Sequence, residues 1–266
     1  MSRLRSIWIS IAVSVALGVA SVAPSSPVLA RPAVPAQVLL GRLSGSADTD
    51  VDEVRLIGQS VEGRSIWASR MGTPGGKVVL VVGVIHGDEQ QGARITRLLR
   101  SGSAADGIEL WLIDSMNPDG VAANRRTNAA DVDLNRNFEL GWGYIGKSSD
   151  HQQYSGEGPA DQPETQAIQA FIREIEPSLT IWYHQDLNTI SGGGQRPDIA
   201  EAYAAATGMS ISHVGCSQQC TGTAGAFVRG AVDGAANLLV ELPSSDDMTS
   251  EMVRIHADAA LEIAGL

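Results

Sequence analysis

Three places in this chain set ligand-type side chains at the ends of apolar runs. Val78–Ile85 leads straight into His86-Gly87-Asp88-Glu89. Leu179–Tyr183 is followed by His184, and Asn237–Val240 by Glu241-Leu242-Pro243. Such β-branched runs suit strands buried on both faces. In open α/β sheets, sites form at the carboxyl ends of the strands. Two His and one Glu supply the three protein ligands of a catalytic zinc ion, with a fourth position left to water. The spacing from His86 to Glu89 lets a strand end and the first turn of a following helix point at one ion. Gly87 permits the tight turn between them. Alone, His-x-x-Glu is a weak signal, because a single His at a strand end is more often a satisfied polar group.

The elements that must hold these groups follow from hydrophobic periodicity. Glu53–Ile57 and Ser65–Ser69 alternate apolar and polar residues around Val61-Glu62-Gly63-Arg64, the pattern of a hairpin. Val78–Ile85 is a strand, followed by a helix over Glu89–Arg100 with Ile95, Leu98 and Leu99 as its apolar stripe. Ile108–Ile113 is the next strand. Residues 117–160 are loop-like, rich in Asn, Gly, Asp and Ser, and long connections of this kind tend to be functional. Pro163–Ile175 is a helix with Ile168, Phe171, Ile172 and Ile175 inward. Leu179–Tyr183 and Asn237–Val240 are strands, with helices over Ala200–Ala206 and Met248–Ile263. The alternation predicts a single α/β domain built on a twisted, mixed, largely parallel sheet with helices on both faces.

The segments around the candidate ligands resemble the zinc carboxypeptidase family. The resemblance rests on Gly83-Val84-Ile85-His86-Gly87-Asp88-Glu89 and on Gly58-Gln59-Ser60-Val61-Glu62-Gly63-Arg64, which looks like the family's early hairpin motif. Asn117-Pro118-Asp119-Gly120 and Asp133-Leu134-Asn135-Arg136-Asn137-Phe138 look like its substrate-loop motifs, and His184 and Glu241 follow in the family's order. The resemblance implies one zinc ion on His86, Glu89 and His184. It implies Glu241 as the general base, which deprotonates the attacking water and passes a proton to the leaving amine. Arg126, seven residues before Asp133, matches the arginine that polarises the scissile carbonyl, with the adjacent Arg125 as its rival. Asn135 and Arg136 match the pair that binds a terminal carboxylate, a task suited to a planar guanidinium fork. Asp88 and Asp133 read as supporting or turn residues; Asp133 is placed to orient a zinc-bound imidazole if the fold brings it there.

One departure bears on specificity. Digestive members carry a tyrosine about twenty residues before the catalytic Glu, and this chain has none between Cys216 and Glu241. Thr221–Phe227 stands there instead. The short chain and the Glu241-Leu242-Pro243 ending look more like bacterial murein peptide amidases, which cleave the γ-D-glutamyl bond to diaminopimelate. The expected substrate is therefore a peptide or muropeptide with a free C-terminal carboxylate. Alternatives are a general carboxypeptidase, a zinc amidohydrolase of the succinylglutamate desuccinylase and aspartoacylase type, and a non-catalytic peptide-binding relative. Asn117–Gly120 and the hairpin motif favour the peptidase side over the amidohydrolase.

Charge and compartment complete the reading. The 266 residues carry 19 Lys plus Arg against 30 Asp plus Glu, a formal net charge of −11. That balance excludes a general nucleic-acid binder, which needs a basic face. Arg3 and Arg5 precede an apolar run from Ile7 to Ala23, and Val28-Leu29-Ala30 offers small-residue cleavage chemistry. Residues 1–30 thus read as a signal peptide, 31–50 as a flexible leader and 51–266 as the catalytic domain. The expected location is secreted or periplasmic, with no stable membrane insertion after cleavage. Cys216 and Cys220, the two cysteines, are read as a structural disulfide closing a small loop, with a pair of free thiols as the alternative. His151 and His213 have no motif around them, and His256 reads as a surface or core residue of the last helix. Ser191-Gly192-Gly193-Gly194 lacks the Lys-Ser or Lys-Thr of a phosphate loop and reads as a cleft wall. Oligomeric state has no signature in the sequence.

Overall fold

The computed structural model describes residues 51–149, 152–192, 194, 196–212 and 219–266. The expected signal peptide and leader, His151, His213 and Cys216 lie outside these residues. Cys220 is engaged in a disulfide. Among the described residues, no helix is long and apolar enough to cross a membrane.

The strands are β1 (Val51–Gln59), β2 (Ser65–Gly72), β3 (Lys77–Val82), β4 (Ile108–Ile113), β5 (Leu179–Gln185), β6 (Thr189–Gly192), β7 (Ser210–Ile211) and β8 (Ala236–Leu242). The helices are α1 (Gly92–Arg100), α2 (Pro118–Ala123), α3 (Pro163–Ile175), α4 (Pro197–Thr207), α5 (Ala224–Ala231) and α6 (Ser250–Ala264). The strands form one mixed sheet in the order β1-β2-β4-β3-β5-β8-β6-β7. Its centre is parallel, from β4 through β3 and β5 to β8. The hairpin of β1 and β2 and the strand β6 join antiparallel at the two sides.

Alternation along β5 sorts the core into two layers. Leu179, Ile181 and Tyr183 face one layer, with α1, α4 and α6. Trp182 faces the other, with Ile168, Phe171 and Ile172 of α3 and Phe227 and Val228 of α5. Phe138 packs edge-on to Trp182 and tilted against Phe227. Truncating a ring such as Phe227 to Ala should cost about 3–5 kcal/mol, because the site cannot collapse around the loss. The helix over Pro163–Ile175 forms as the periodicity predicts, with Pro163 in its first turn and Glu176 turning the chain in the left-handed region.

Three expectations need correction. The strand expected over Val78–Ile85 spans Lys77–Val82, so His86 follows it after a short loop segment instead of directly. The helix after β3 begins at Gly92 rather than Glu89, because residues 83–91 form a tightly packed loop. A Cβ on Gly92 would fall 2.1 Å from the Gly83 carbonyl oxygen, and one on Gly87 would fall 1.9 Å from the Gly120 carbonyl carbon. These contacts fix the loop, so Glu89 reaches its position from a loop and not from a helical turn. The stretch 117–160 is also less loop-like than its composition suggests. It contains α2, capped by the Asn117 side chain, and a 3₁₀ turn over Leu134–Arg136.

Candidate metal centre and its surroundings

The three adjacent parallel strands β3, β5 and β8 end at one edge of the sheet. β5 carries His184 and β8 carries Glu241 at the same register, so the two side chains rise side by side. Strands in a sheet lie about 4.8 Å apart. The loop after β3 delivers His86 and Glu89 to the same place. Potential ligand atoms of His86, Glu89 and His184 all lie within 4.8 Å of one another, and all three residues are buried.

The donor set fits zinc. Zinc–nitrogen bonds are about 2.0–2.1 Å, so two tetrahedral ligands stand about 3.3 Å apart. His86 Nδ1 and His184 Nδ1 are 3.2 Å apart. Glu89 Oε1 lies 2.8 Å from the first and Oε2 2.9 Å from the second. On the far side of the ring, His86 Nε2 meets Asp133 Oδ1 at 3.0 Å. A carboxylate there accepts a hydrogen bond from Nε2–H and leaves the Nδ1 lone pair aimed at the cluster. For His184, Asn135 Nδ2 approaches Nε2 at only 3.5 Å.

Charges around the cluster are strongly coupled. Burial alone would raise the carboxyl groups of Glu89 and Asp133. Instead the charges and hydrogen bonds of their partners hold both far below the usual carboxylate range, His86 and His184 for Glu89, Arg126 and His86 for Asp133. Both are therefore anionic at any working pH. Glu241 behaves oppositely. Burial pushes it up, the nearby Glu89 charge adds to this, and its Oε2 is buried without a hydrogen-bond partner. Glu89 and Asp133 are thus anchored anions, whereas Glu241 has a raised carboxyl with one unpartnered oxygen.

Arg126, rather than Arg125, faces the cluster. It donates through Nη2 and Nε to Asp133 Oδ2 at 2.8 and 3.1 Å, and through Nη1 to Glu89 Oε1 at 3.2 Å. Arg125 turns away to Asp131 and the Asn128 carbonyl. Asn135 and Arg136 sit on the 3₁₀ turn beside Asp133. Asn135 Oδ1 accepts from the Ala224 amide at 2.9 Å, tying the turn to the start of α5. Arg136 donates to the Asn135 carbonyl at 2.8 Å, while its Nε is buried with no partner. Burial pushes its guanidinium below the usual value despite Asp133. Its nearest charged partner is Asp133 Oδ2, 4.0 Å from Nη1, so the guanidinium is desolvated and only partly satisfied. Asp88 is exposed and outside the cluster.

Other motif residues turn out to be scaffolding. Asn117 is fully buried. Its Nδ2 donates to the Ile85 and Arg126 carbonyls and its Oδ1 accepts from Gly120. It therefore tethers the chain on both sides of the cluster. Asp119 accepts from Ser60 Oγ at 2.7 Å, from the Glu62 amide at 2.9 Å and from Arg64 at 2.6 Å. The hairpin motif and the Asn-Pro-Asp-Gly motif are thus two halves of one clamp. Only the paired turn chemistry of the two motifs hints at it in the sequence. His256 lies far from the cluster in the opposite core layer. Its Nδ1 is 2.8 Å from the Tyr203 hydroxyl, which is 3.2 Å from that of Tyr183.

Comparison with known proteins agrees with this arrangement. Residues 45–191 match the family model described as zinc carboxypeptidase. Murein peptide amidase A of Escherichia coli (strain K12) is 34% identical over 85 residues, 28% of this chain and 35% of that protein. Carboxypeptidase SOL1 of Arabidopsis thaliana is 27% identical over 147 residues, 48% of this chain and 28% of that protein. The matched part thus spans about a third of these curated relatives. Among solved structures, murein-tripeptide amidase from Escherichia coli O157 superposes with a TM-score of 0.65 at 23% identity, covering 78% of this chain and 91% of that one. Carboxypeptidase A from Helicoverpa armigera gives 0.66 at 22% identity, covering 80% and 69%. At these identities the structural likeness speaks to the fold.

Proposed function

Because the chain belongs to the zinc carboxypeptidase family, we propose that it hydrolyses an amide bond next to a free C-terminal carboxylate, with cell-wall muropeptides as substrate. The bond cut is the γ-D-glutamyl–diaminopimelate amide. The reading is carried by Glu241, whose unpartnered carboxylate oxygen sits beside the His86–Glu89–His184 cluster. Its support also includes the sequence kinship to murein peptide amidase A. His86, Glu89 and His184 would hold one zinc ion. Bound there, zinc supplies a Lewis acid and lowers the pKa of a water molecule toward neutrality.

The chain's own residues do the rest. Arg136 offers its guanidinium to the substrate's terminal carboxylate, and Asn135 fixes the turn that presents it. Arg126 is held by Asp133 and Glu89 with its guanidinium at the cluster, where it stabilises negative charge developing on the scissile carbonyl oxygen. Glu241 takes a proton from the attacking water. It then returns that proton to the leaving amine as the C–N bond breaks. A carboxyl raised by burial suits both halves of this task, since its proton affinity lies nearer the working pH. We further propose that residues 1–30 direct export, which would bring the enzyme to wall peptides.

Glu241→Gln should keep zinc and lose about 10²–10⁴ in turnover of a γ-D-glutamyl-diaminopimelate tripeptide. Full activity with zinc bound would overturn the general-base assignment. Release only of bulky apolar C-terminal residues from a peptide panel would overturn the cell-wall reading.

A further inference from the structure

One arginine stands apart. Among the described residues, every arginine except Arg229 makes a hydrogen bond or an ion pair. Arg229 is exposed on α5 and has neither. The other arginines among the described residues are tied to a carboxylate, a side-chain oxygen or a backbone carbonyl, so the untied guanidinium of Arg229 is open to an anion that a ligand brings.

Its surroundings are built for that. Asn237 of β8 is 5% exposed. Its Oδ1 accepts from Thr180 at 3.0 Å, which fixes the amide and turns Nδ2 toward α5. Opposite lies Gly225. A Cβ there would fall 2.7 Å from Asn237 Nδ2 and 3.3 Å from Arg229 Nη1. Two donors, one neutral and one cationic, therefore lie close together against the bare backbone of Gly225, where any side chain would push them apart. Gly194 lies against the other side of Arg229, with a Cβ position 3.7 Å from its Cδ.

The position relative to the metal cluster follows from strand geometry. Asn237, Leu239 and Glu241 alternate onto one face of β8, and four residues of strand span about 13 Å. Leu239, Gly225 and Ala226 are all partly exposed, so the strip between β8 and α5 is not filled by core side chains. At its upper end are Glu241 and His184. The first residue of α5 is tethered by Asn135, so the proposed carboxylate receptor at Arg136 and the donors at Arg229 share one frame.

We propose that Arg229 and Asn237 form a second anion receptor, which reads a carboxylate at the far end of the side chain of the residue released on hydrolysis. The class selected is an acidic C-terminal residue. Diaminopimelate, with a carboxylate at the end of a long side chain, and glutamate, with a shorter one, are its two natural sources. This inference rests on the reading of the protein as an amidase for peptides with a free C-terminal carboxylate, and makes Arg229 its specificity residue.

The test uses the zinc-loaded full chain and three γ-D-glutamyl peptides ending in diaminopimelate, lysine or glutamate. Lysine matches diaminopimelate in length and lacks only the distal carboxylate. The expected result is a kcat/KM ratio of diaminopimelate to lysine that falls at least tenfold in Arg229→Gln, mainly through KM. In Arg229→Glu the preference should invert toward lysine. An unchanged ratio in both variants would overturn the proposal. A glutamate peptide turned over better than the diaminopimelate peptide would assign the receptor to the shorter source. Calorimetry of free diaminopimelate and free lysine binding to Glu241→Gln, with and without Arg229→Gln, reads the receptor independently of turnover. Should none of the peptides be cleaved, the amidase reading fails. The receptor then stands or falls on whether Arg229→Gln removes preferential diaminopimelate binding.

Discussion

Three of the described histidines, His86, His184 and His256, are buried almost completely, and the first and last of them have opposite chemistry. His86 stands beyond the end of β3, among Glu89, Asp133 and Arg126. His256 stands on α6 in the opposite core layer, with the Tyr203 hydroxyl as its polar partner. Burial lowers both. For His256 nothing offsets it, and the imidazole is pushed down to about 4. For His86, Arg126 lowers it further, yet the two carboxylates win and raise it. Burial by itself therefore does not mark a functional histidine. What separates them is that one ring is gripped by a carboxylate on one nitrogen and turns the other toward a second histidine and an acid.

The contrast predicts where each histidine should be felt. The largest effect belongs to His256 and concerns stability. Its folded value lies below its unfolded one, so the unfolded chain binds the extra proton between about pH 6.5 and 4. Stability is fully present above that window and is lost as pH falls through it, by up to about 3 kcal/mol. Urea unfolding of the metal-free protein at pH 7 and pH 4.5 should show a smaller loss in His256→Asn than in the unaltered chain. Equal losses would mean that the ring is already solvated in the folded state.

Next is Asp133→Asn, which removes the anion behind His86 while keeping the shape. Zinc affinity, measured by competition with a chelator, should weaken about 10–100-fold. No change would reduce Asp133 to a holder of Arg126. The smallest effect is Tyr203→Phe, which removes a hydroxyl between His256 and Tyr183 and should cost about 1 kcal/mol. It should leave zinc affinity untouched; a drop there would break the separation between the two layers.

The sequence carries the cluster well because two of its residues stand at the ends of apolar strands and the other two follow a third apolar run. His184 and Glu241 follow strongly apolar runs, and His86 lies at the end of another. The elements that the sequence does not mark depend on tertiary contact. The helix α5 reads Ala-Gly-Ala-Phe-Val-Arg-Gly-Ala, and its two glycines argue against a helix. Packing of Phe227 against Phe138, with Arg173 stacked over the ring, overrides that weak propensity. β6 and β7 are too short, at four and two residues, for periodicity to register. The roles of Asn117 and Asp119 were equally hidden. Both belong to a motif that looks like a substrate loop, and both are fully engaged in holding the scaffold.

The contact between Gly87 and Gly120 has a practical consequence for anyone redesigning this protein. Backbone meets backbone there with no room for a methyl group. Libraries that vary the 83–91 loop to retune the ion, or the 117–120 turn to retune the clamp, must leave this pair alone. A side chain on Gly87 would push the two loops apart and displace His86, and one on Gly120 would strike the Asn117 side chain that ties them together, before any new specificity could be tested.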